Sequence, residues 1–250
     1  QRTEELREAL KAAQAADRAK SEFVSNVSHE LRTPLTSILL YLRLLEQGNP
    51  AQRLTYQQAL VREAKRLQYL IESLLQISRL DLGKVEPRFE TVDLNRMIST
   101  LVKDREQLFD NRELKLTYTI NSELIPIPAD PRLLEQVITN LLTNAMNYTP
   151  AGGSVDIKTR LIEDEGQLWV TIAVKDTGLG IKPEDQPKLF QRFQRGSASE
   201  TLNVPGTGLG LPISAEIIRL HRGHITMESA PGKGATFVIH LPIGGGEENG

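Results

Sequence analysis

The densest chemistry in the chain lies between Phe23 and Leu35, which reads Phe-Val-Ser-Asn-Val-Ser-His-Glu-Leu-Arg-Thr-Pro-Leu. Ser28, His29, Glu30 and Arg32 interrupt an apolar helical stripe that continues on both sides of them. His29 falls between the stripe positions Val27 and Leu31, which puts its imidazole at the flank of a helix, within reach of solvent. A neutral imidazole with a carboxylate beside it makes a competent nucleophile, because the carboxylate can orient the ring and balance the charge that develops on it. Thr33 stands one turn further along the same face, about 6 Å along the axis, and Pro34 is placed to kink the helix just beyond. A hydroxyl so placed can hold a water, or it can bond back to the preceding turn.

Four stretches in the second half carry groups suited to a nucleotide. Asn140, Asn144 and Asn147 share one face of a helix that starts after Asp130-Pro131 and runs into Tyr148. Amide oxygens are hard neutral ligands of the kind Mg²⁺ accepts while it bridges phosphates, although three asparagines also suit a solvated helix surface. Asp176-Thr-Gly178-Leu-Gly180 ends a strand candidate with a carboxylate that can accept from an exocyclic amine, and with glycines that let backbone approach a flat ring. Phe190-Gln-Arg192-Phe193-Gln-Arg195 offers guanidinium groups to phosphate. Gly206-Thr207-Gly208-Leu209-Gly210-Leu211 precedes a helix with Pro212 near its first turn, so free backbone N–H groups there form an anion cradle. The polar run from Gly196 to Pro205 has the length of a lid.

Two kinds of element must position these groups. Residues 1 to about 47 and about Gln52 to Leu80 each follow a helical apolar period, with Gly48-Asn49-Pro50 as the turn between them. The first twenty residues, with Leu6, Ala9, Ala13 and Ala16 in line, have the seam of a coiled-coil stem. Such a hairpin carries more apolar surface than it can bury alone, which predicts a four-helix bundle made with a second copy. Asp81 to Lys84, followed by Pro87, breaks the period. Beyond the break, strands are expected at Arg88–Val92, Leu114–Ile120, Ser154–Ile162, Leu168–Lys175, His224–Ser229 and Ala235–Leu241. Helices are expected at Leu94–Asp110, Pro131–Asn147 and Leu209–Leu220. Their irregular alternation predicts an α/β sandwich with a mixed sheet, and the fold class as a whole is α+β. Trp169 is expected in the core, and His221, His224 and His240 match no motif and read as structural.

Bulk properties narrow the function further. A formal charge of −2 over 250 residues argues against nucleic acid as a partner. The absence of cysteine excludes disulfides and thiolate metal sites. The apolar run Ile38 to Leu42 stops at Arg43, far short of a bilayer span. The chain opens on Gln in mid-helix, so it is expected to be a cytoplasmic fragment, any membrane anchor belonging to a part that precedes it.

The order of these motifs, from the histidine box through the asparagine helix, Asp-Thr-Gly-Leu-Gly, the paired phenylalanines and Gly-Thr-Gly-Leu-Gly-Leu to Gly232-Lys-Gly234-Ala-Thr236-Phe, resembles the sensor histidine kinases of two-component systems. The resemblance runs from about Asp17 to Ile243. It implies that His29 accepts the γ-phosphoryl group of ATP on Nε2, that Glu30 bonds the ring or assists proton removal, and that Thr33 serves a phosphatase activity. It implies further that Asn144 binds Mg²⁺ with Asn140 in support, that Tyr148 packs near the adenine, and that Asp176 receives the adenine amine. Gly178, Gly180, Gly206, Thr207, Gly208, Leu209 and Gly210 would shape the ATP pocket and lid. The family often has a basic residue where Asn147 stands, so Arg192 or Arg195 is expected to supply that charge to the phosphates.

The expected organisation is a coiled-coil stem over 1–20 and a dimerisation and phospho-acceptor hairpin over 21–82. A linker over 83–87, an ATP-binding domain over 88–243 and a disordered tail over 244–250 follow. The expected partners are a second copy of the chain and the receiver domain of a response regulator, whose aspartate takes the phosphate. A nucleotide-driven clamp of the gyrase, Hsp90 and MutL type is the rival, but it needs a water-activating carboxylate about where Asn140 stands and leaves the histidine box unexplained. A catalytically dead adaptor would need a broken ATP motif, and none is broken.

Overall fold

The structure, a computed structural model, describes residues 2–164, 166–197, 204 and 206–243, with side chains described from residue 21 onward. The seam expected over 1–20, the tail over 244–250 and most of the 196–205 stretch therefore lie outside the described residues. The chain forms two compact units, residues 1–75 and 76–250.

The first unit is built on α1 (Arg2–Gln47) and most of α2 (Arg53–Asp81), joined by a short 3-10 turn at Pro50–Gln52. Asn49 caps that turn, its Oδ1 accepting from the Ala51 N–H at 3.0 Å, and the Tyr41 and Tyr56 rings meet across it at 6.4 Å. Pro34 lies inside α1 without ending it, although its ring has no N–H to give the Glu30 carbonyl. Leu35, Leu39 and Leu42 remain 49, 55 and 44 % exposed. The hairpin alone thus leaves an apolar stripe in water. Among the described residues, no helix is long and apolar enough to cross a membrane.

The second unit holds β1 (Glu90–Val92), α3 (Leu94–Asp110), β2 (Lys115–Thr119), β3 (Ile127–Ala129) and α4 (Pro131–Tyr148). It continues with β4 (Ser154–Asp164), β5 (Gln167–Asp176), α5 (Gly210–Leu220), β6 (His224–Ser229) and β7 (Ala235–Pro242). Five strands form one sheet in the order β2-β4-β5-β7-β6. β2 runs parallel to β4, and the other neighbours pair antiparallel, so the sheet is mixed as expected. Alternation along the strands decides which face is covered. Val155 and Ile157, then Val170, Ile172 and Val174, then Phe237, Ile239 and Leu241 are buried. They meet the apolar sides of the helices, including Ile98, Leu134, Ile138, Leu141 and Ile217. Truncating one such fully buried leucine to alanine costs about 2–5 kcal/mol.

The strand β3 was not expected, because Ile127-Pro128-Ala129 is short and its proline reads as a breaker. It survives as one edge of a two-stranded ribbon, with Pro128 opposite Thr91 of β1. Trp169 also departs from expectation. It is half-buried on the open face of the sheet and meets His224 edge-on, with ring centroids 5.4 Å apart.

Candidate functional site

His29 is exposed on α1, as its flank position predicts. Its neighbours are spoken for. Glu30 points its carboxylate toward Arg66 of α2, Oε2 to Nη2 3.7 Å, and among the described residues no hydrogen bond joins Glu30 to His29. Thr33 donates its hydroxyl to the His29 carbonyl at 3.2 Å, and Ser28 donates to the Val24 carbonyl at 2.9 Å. Both are local bonds that such residues make within a helix. The imidazole therefore stands in solvent on a helix whose polar groups nearby are already tied back.

In the second unit the candidate nucleotide site is where α4, the end of β5 and the start of α5 come together. The strand β5 buries Val170, Ile172 and Val174 and ends on Asp176, itself buried. One carboxylate oxygen, Oδ1, accepts from the Gly178 N–H at 2.8 Å and the Ala235 N–H at 3.1 Å. Burial pushes the Asp176 carboxyl above its ordinary range, more than those two N–H donors pull it down. Among the described residues Oδ2 has no hydrogen-bond donor, so one oxygen is left for a ligand amine.

The glycines of Asp176-Thr-Gly-Leu-Gly turn out to serve the protein's own backbone. A Cβ at Gly178 would collide with the Tyr148 carbonyl, and one at Gly180, where φ is +66°, with the Ala230 carbonyl. The Leu179 N–H donates to that same Tyr148 carbonyl at 3.2 Å. The C-terminus of α4 is thereby stitched to the loop after β5, which places half-buried Tyr148 beside Asp176 and Leu179.

The asparagines of α4 divide in role. Asn140 donates its amide to Ser214 Oγ of α5 at 2.9 Å, and a Cβ at Gly210 would strike the Asn140 side chain. Asn140 is thus a brace between the two helices, and the absence of a side chain at Gly210 lets α5 begin there. Asn144 and Asn147 are half-buried, and among the described residues their amides have no partner. Asn144 has the free carbonyl that a cation needs.

α4 starts firmly. Buried Asp130 accepts from the Arg132 and Leu133 N–H groups, and from the Arg88 N–H at 2.9 Å. Burial raises its carboxyl, but those donors and the Arg132 guanidinium outweigh it and leave the carboxyl below its usual range. α3 has a similar cap in Asp93. α5 has none: Leu209 is its N-cap residue and no side chain closes that end. Its first-turn amides are open in the way an anion site requires.

The remaining expected residues are scattered in role. Leu209 and Thr207 are buried, so they pack the loop. A Cβ at Gly208, where φ is +68°, would crowd the backbone of Phe193 and Gln194, and the Phe193 N–H donates to the Gly208 carbonyl at 3.0 Å. Arg195 donates to the Val204 carbonyl, and Gly206 is half-buried near it. Arg192 clasps Asp81 with both Nη atoms, at 2.8 and 2.5 Å.

Two positioning residues carried no motif. His221 takes the Asp130 N–H on Nε2 at 3.0 Å and faces the Ile217 carbonyl with Nδ1 at 2.8 Å, tying the end of α5 to the start of α4. Ser229 accepts the Ile181 N–H at 2.9 Å and donates to the Gly234 carbonyl at 2.7 Å, bracing the same loop. Their partners are 48 or more residues away, except Gly234 and Ile217, so no local pattern could have pointed to them.

Known proteins resemble the chain over most of its length. The profile of the family described as His Kinase A (phospho-acceptor) domain matches residues 19–83. The profile described as Histidine kinase-, DNA gyrase B-, and HSP90-like ATPase matches residues 129–245. The circadian input-output histidine kinase CikA of Synechocystis is 36 % identical over 97 % of this chain and 33 % of its own length. The sensor histidine kinase WalK of Bacillus subtilis is 34 % identical over 90 % of this chain and 37 % of its own. The chain thus spans about a third of the length of these curated relatives. The solved structure of the Acinetobacter baumannii histidine kinase AdeS superimposes with a TM-score of 0.70 at 26 % identity, covering 86 % of this chain and 98 % of that one.

Proposed function

The chain belongs to the sensor histidine kinases of two-component systems, and from that premise we propose that it phosphorylates His29 from ATP and passes the group to an aspartate of a response-regulator receiver domain. The observation that carries this reading is the exposed imidazole of His29 inside the phospho-acceptor match, in a chain whose β5 ends on a buried carboxylate with one oxygen unspent.

Each step falls to named groups. Asp176 Oδ2 accepts the adenine amine while Oδ1 stays with Gly178 and Ala235, and Tyr148 packs beside the base. The uncapped start of α5, with Gly206, Gly208 and Gly210 ahead of or at its first turn, receives phosphate oxygens on backbone N–H groups. Asn144 is the side chain that would hold Mg²⁺, with Asn140 fixing the helix pair around it, and the chemistry the ion would supply there is neutralisation of phosphate charge. The Nε2 lone pair of His29 attacks the γ-phosphorus, an N–P bond forms, and the bond to the β–γ bridging oxygen breaks to leave ADP. The proton leaves the imidazole, with Glu30 as the nearest carboxylate along the chain to receive it. Positioning and charge neutralisation account for most of the acceleration. Residues 83–87 are assigned as the linker between the phospho-acceptor hairpin and the ATP-binding domain at 88–243, and the leucine stripe of α1 as the seam for a second copy.

In the opposing phosphatase reaction, water attacks the phospho-aspartate of the regulator to give aspartate and inorganic phosphate, and Thr33 holds that water. Its hydroxyl hydrogen stays on the His29 carbonyl while its oxygen accepts from the water. Incubation with γ-labelled ATP and Mg²⁺ tests the whole reading. A phosphoramidate gives label that survives base and is lost in acid, and then moves to an added receiver domain. Label with the opposite lability is an ester, and the assignment fails.

A further inference from the structure

The last residue of α2 is an aspartate, Asp81, in a place that helices disfavour for an acid. The open carbonyls there form the negative end of the helix dipole, so a carboxylate in the last turn is destabilising unless a cation stands against it. α2 closes firmly behind it. The N–H of Gly83, where φ is +62°, donates to the Leu80 carbonyl at 3.0 Å, and the Lys84 N–H donates to the Arg79 carbonyl at 2.9 Å. Asp81 is thus fixed by backbone, and the cation against it is Arg192. Nη1 donates to Oδ2 at 2.8 Å and Nη2 to Oδ1 at 2.5 Å, the paired geometry in which a guanidinium takes either a carboxylate or a phosphate.

Arg192 also stands beside the proposed phosphate cradle. Its neighbour Phe193 has φ +63°, a left-handed conformation uncommon outside glycine. The Phe193 N–H donates to the Gly208 carbonyl, two residues before α5 begins. The backbone at Phe193 is therefore pinned to the stretch that leads into the uncapped turn of α5, while the guanidinium of Arg192 is on Asp81. The two side chains are 37 and 45 % exposed, so water screens the pair and its net strength is small. A second contact nearby is neutral: Gln76 of α2 and Gln136 of α4 exchange amide hydrogen bonds at 2.8 and 2.7 Å. Gln76 and Asp81 both belong to the second unit, which fastens the end of α2 at one neutral and one charged point.

Resting on the nucleotide reading above, we infer that the Asp81–Arg192 pair is a clasp released by nucleotide. The terminal phosphates of bound ATP compete with Asp81 for the Arg192 guanidinium, and binding frees the end of α2 ahead of the linker at 83–87. A guanidinium cannot hold both anions in paired geometry at once, and the triphosphate carries more charge than the carboxylate. The exposure of the pair keeps the exchange small in free energy. The Gln76–Gln136 contact has no rival in the nucleotide and stays as the pivot. Linkage is reciprocal, so whatever draws the end of α2 out of the clasp strengthens nucleotide binding.

Affinities for the β,γ-imido analogue of ATP and for adenosine are measured by calorimetry on the full chain with Mg²⁺. Asp81→Asn removes the rival charge and raises affinity for the analogue about threefold, while adenosine, which has no phosphate, binds as it does to the parent. Arg192→Gln lowers affinity for the analogue about tenfold, and adding Asp81→Asn to it has no further effect. Gln76→Ala breaks the neutral contact and leaves the affinity at the parent value. Because Asp81 is exposed, Asp81→Asn keeps the fold, and its thermal melt verifies this. The clasp is overturned if Asp81→Asn binds the analogue like the parent, if its gain persists beside Arg192→Gln, or if adenosine or Gln76→Ala shows the same gain. A parent that binds neither ligand overturns the proposed function, and the clasp with it.

Discussion

Asp176 does two things at once, and they respond differently to substitution. Its Oδ1 satisfies two buried backbone N–H groups, while burial makes its charge costly and raises its carboxyl above the ordinary 3.8. A raised carboxyl contributes most to stability below that ordinary value, and the contribution is lost as pH climbs through the raised one. Asp176→Asn keeps the acceptor and removes the desolvated charge, so at pH 7 it should melt at or above the parent temperature. It turns an amide donor toward the adenine amine, however, and ATP binding measured by calorimetry should vanish. Asp176→Ala instead strands both N–H groups, at about 1–3 kcal/mol each, and should lower the melting temperature as well. If Asp176→Asn binds ATP like the parent, the carboxylate does not read the base. At this scale the sequence was informative wherever a residue's placement follows from its own helix or strand, as for exposed His29 at a stripe's flank and Asp176 at a strand's end. It named Asn140 as support for a Mg²⁺ ligand but could not foresee that its amide goes to Ser214, 74 residues away.

At the scale of elements, periodicity located the long pieces well, and the helix at Leu94–Asp110 and the strand at His224–Ser229 have the expected bounds. It failed where a tertiary neighbour does the work. β3 exists only because β1 pairs with it, and Trp169 alternates onto the open face, where its apolar character alone argued for the core. The glycine motif after β5 was read as letting backbone approach a flat ring, and the structure shows Gly178 and Gly180 admitting protein backbone. The join between α4 and α5 shows what only the fold reveals. His221 accepts the Asp130 N–H on Nε2 there, as a neutral ring does, and burial lowers its pKa from 6.5 by more than the Ile217 carbonyl and Asp130 raise it. A lowered histidine gives stability that is complete above the ordinary value and is lost as pH falls through the lowered one. Melting temperature should therefore drop on acidification below about pH 6.5. In His221→Gln, which offers Asp130 an acceptor that does not titrate, that drop should be shallower. Equal slopes for the two proteins would mean that the ring at this join does not govern the acid response.

For the whole molecule, the exposed stripe Leu35, Leu39 and Leu42 has to be reconciled with a stable hairpin. Burying a leucine side chain fully is worth about 1.5–3 kcal/mol, so a partner helix that covers three of them supplies a strong drive to associate. The full chain should sediment at twice its own mass. Leu35→Glu, Leu39→Glu and Leu42→Glu together should give a monomer with unchanged helix content, since these side chains are about half exposed in the hairpin itself. A parent chain that sediments as a monomer would mean that the stripe is not a seam.

The assignment of His29 as acceptor underlies the entire functional account, and one comparison tests it most directly. The parent and His29→Gln are incubated side by side with γ-labelled ATP and Mg²⁺, and nucleotide affinity is measured on both. The account predicts that His29→Gln takes no label while its ATP affinity stays within about twofold of the parent, because the nucleotide groups all lie in residues 76–250. Base-stable label persisting in His29→Gln would place the acceptor at another residue and contradict the account.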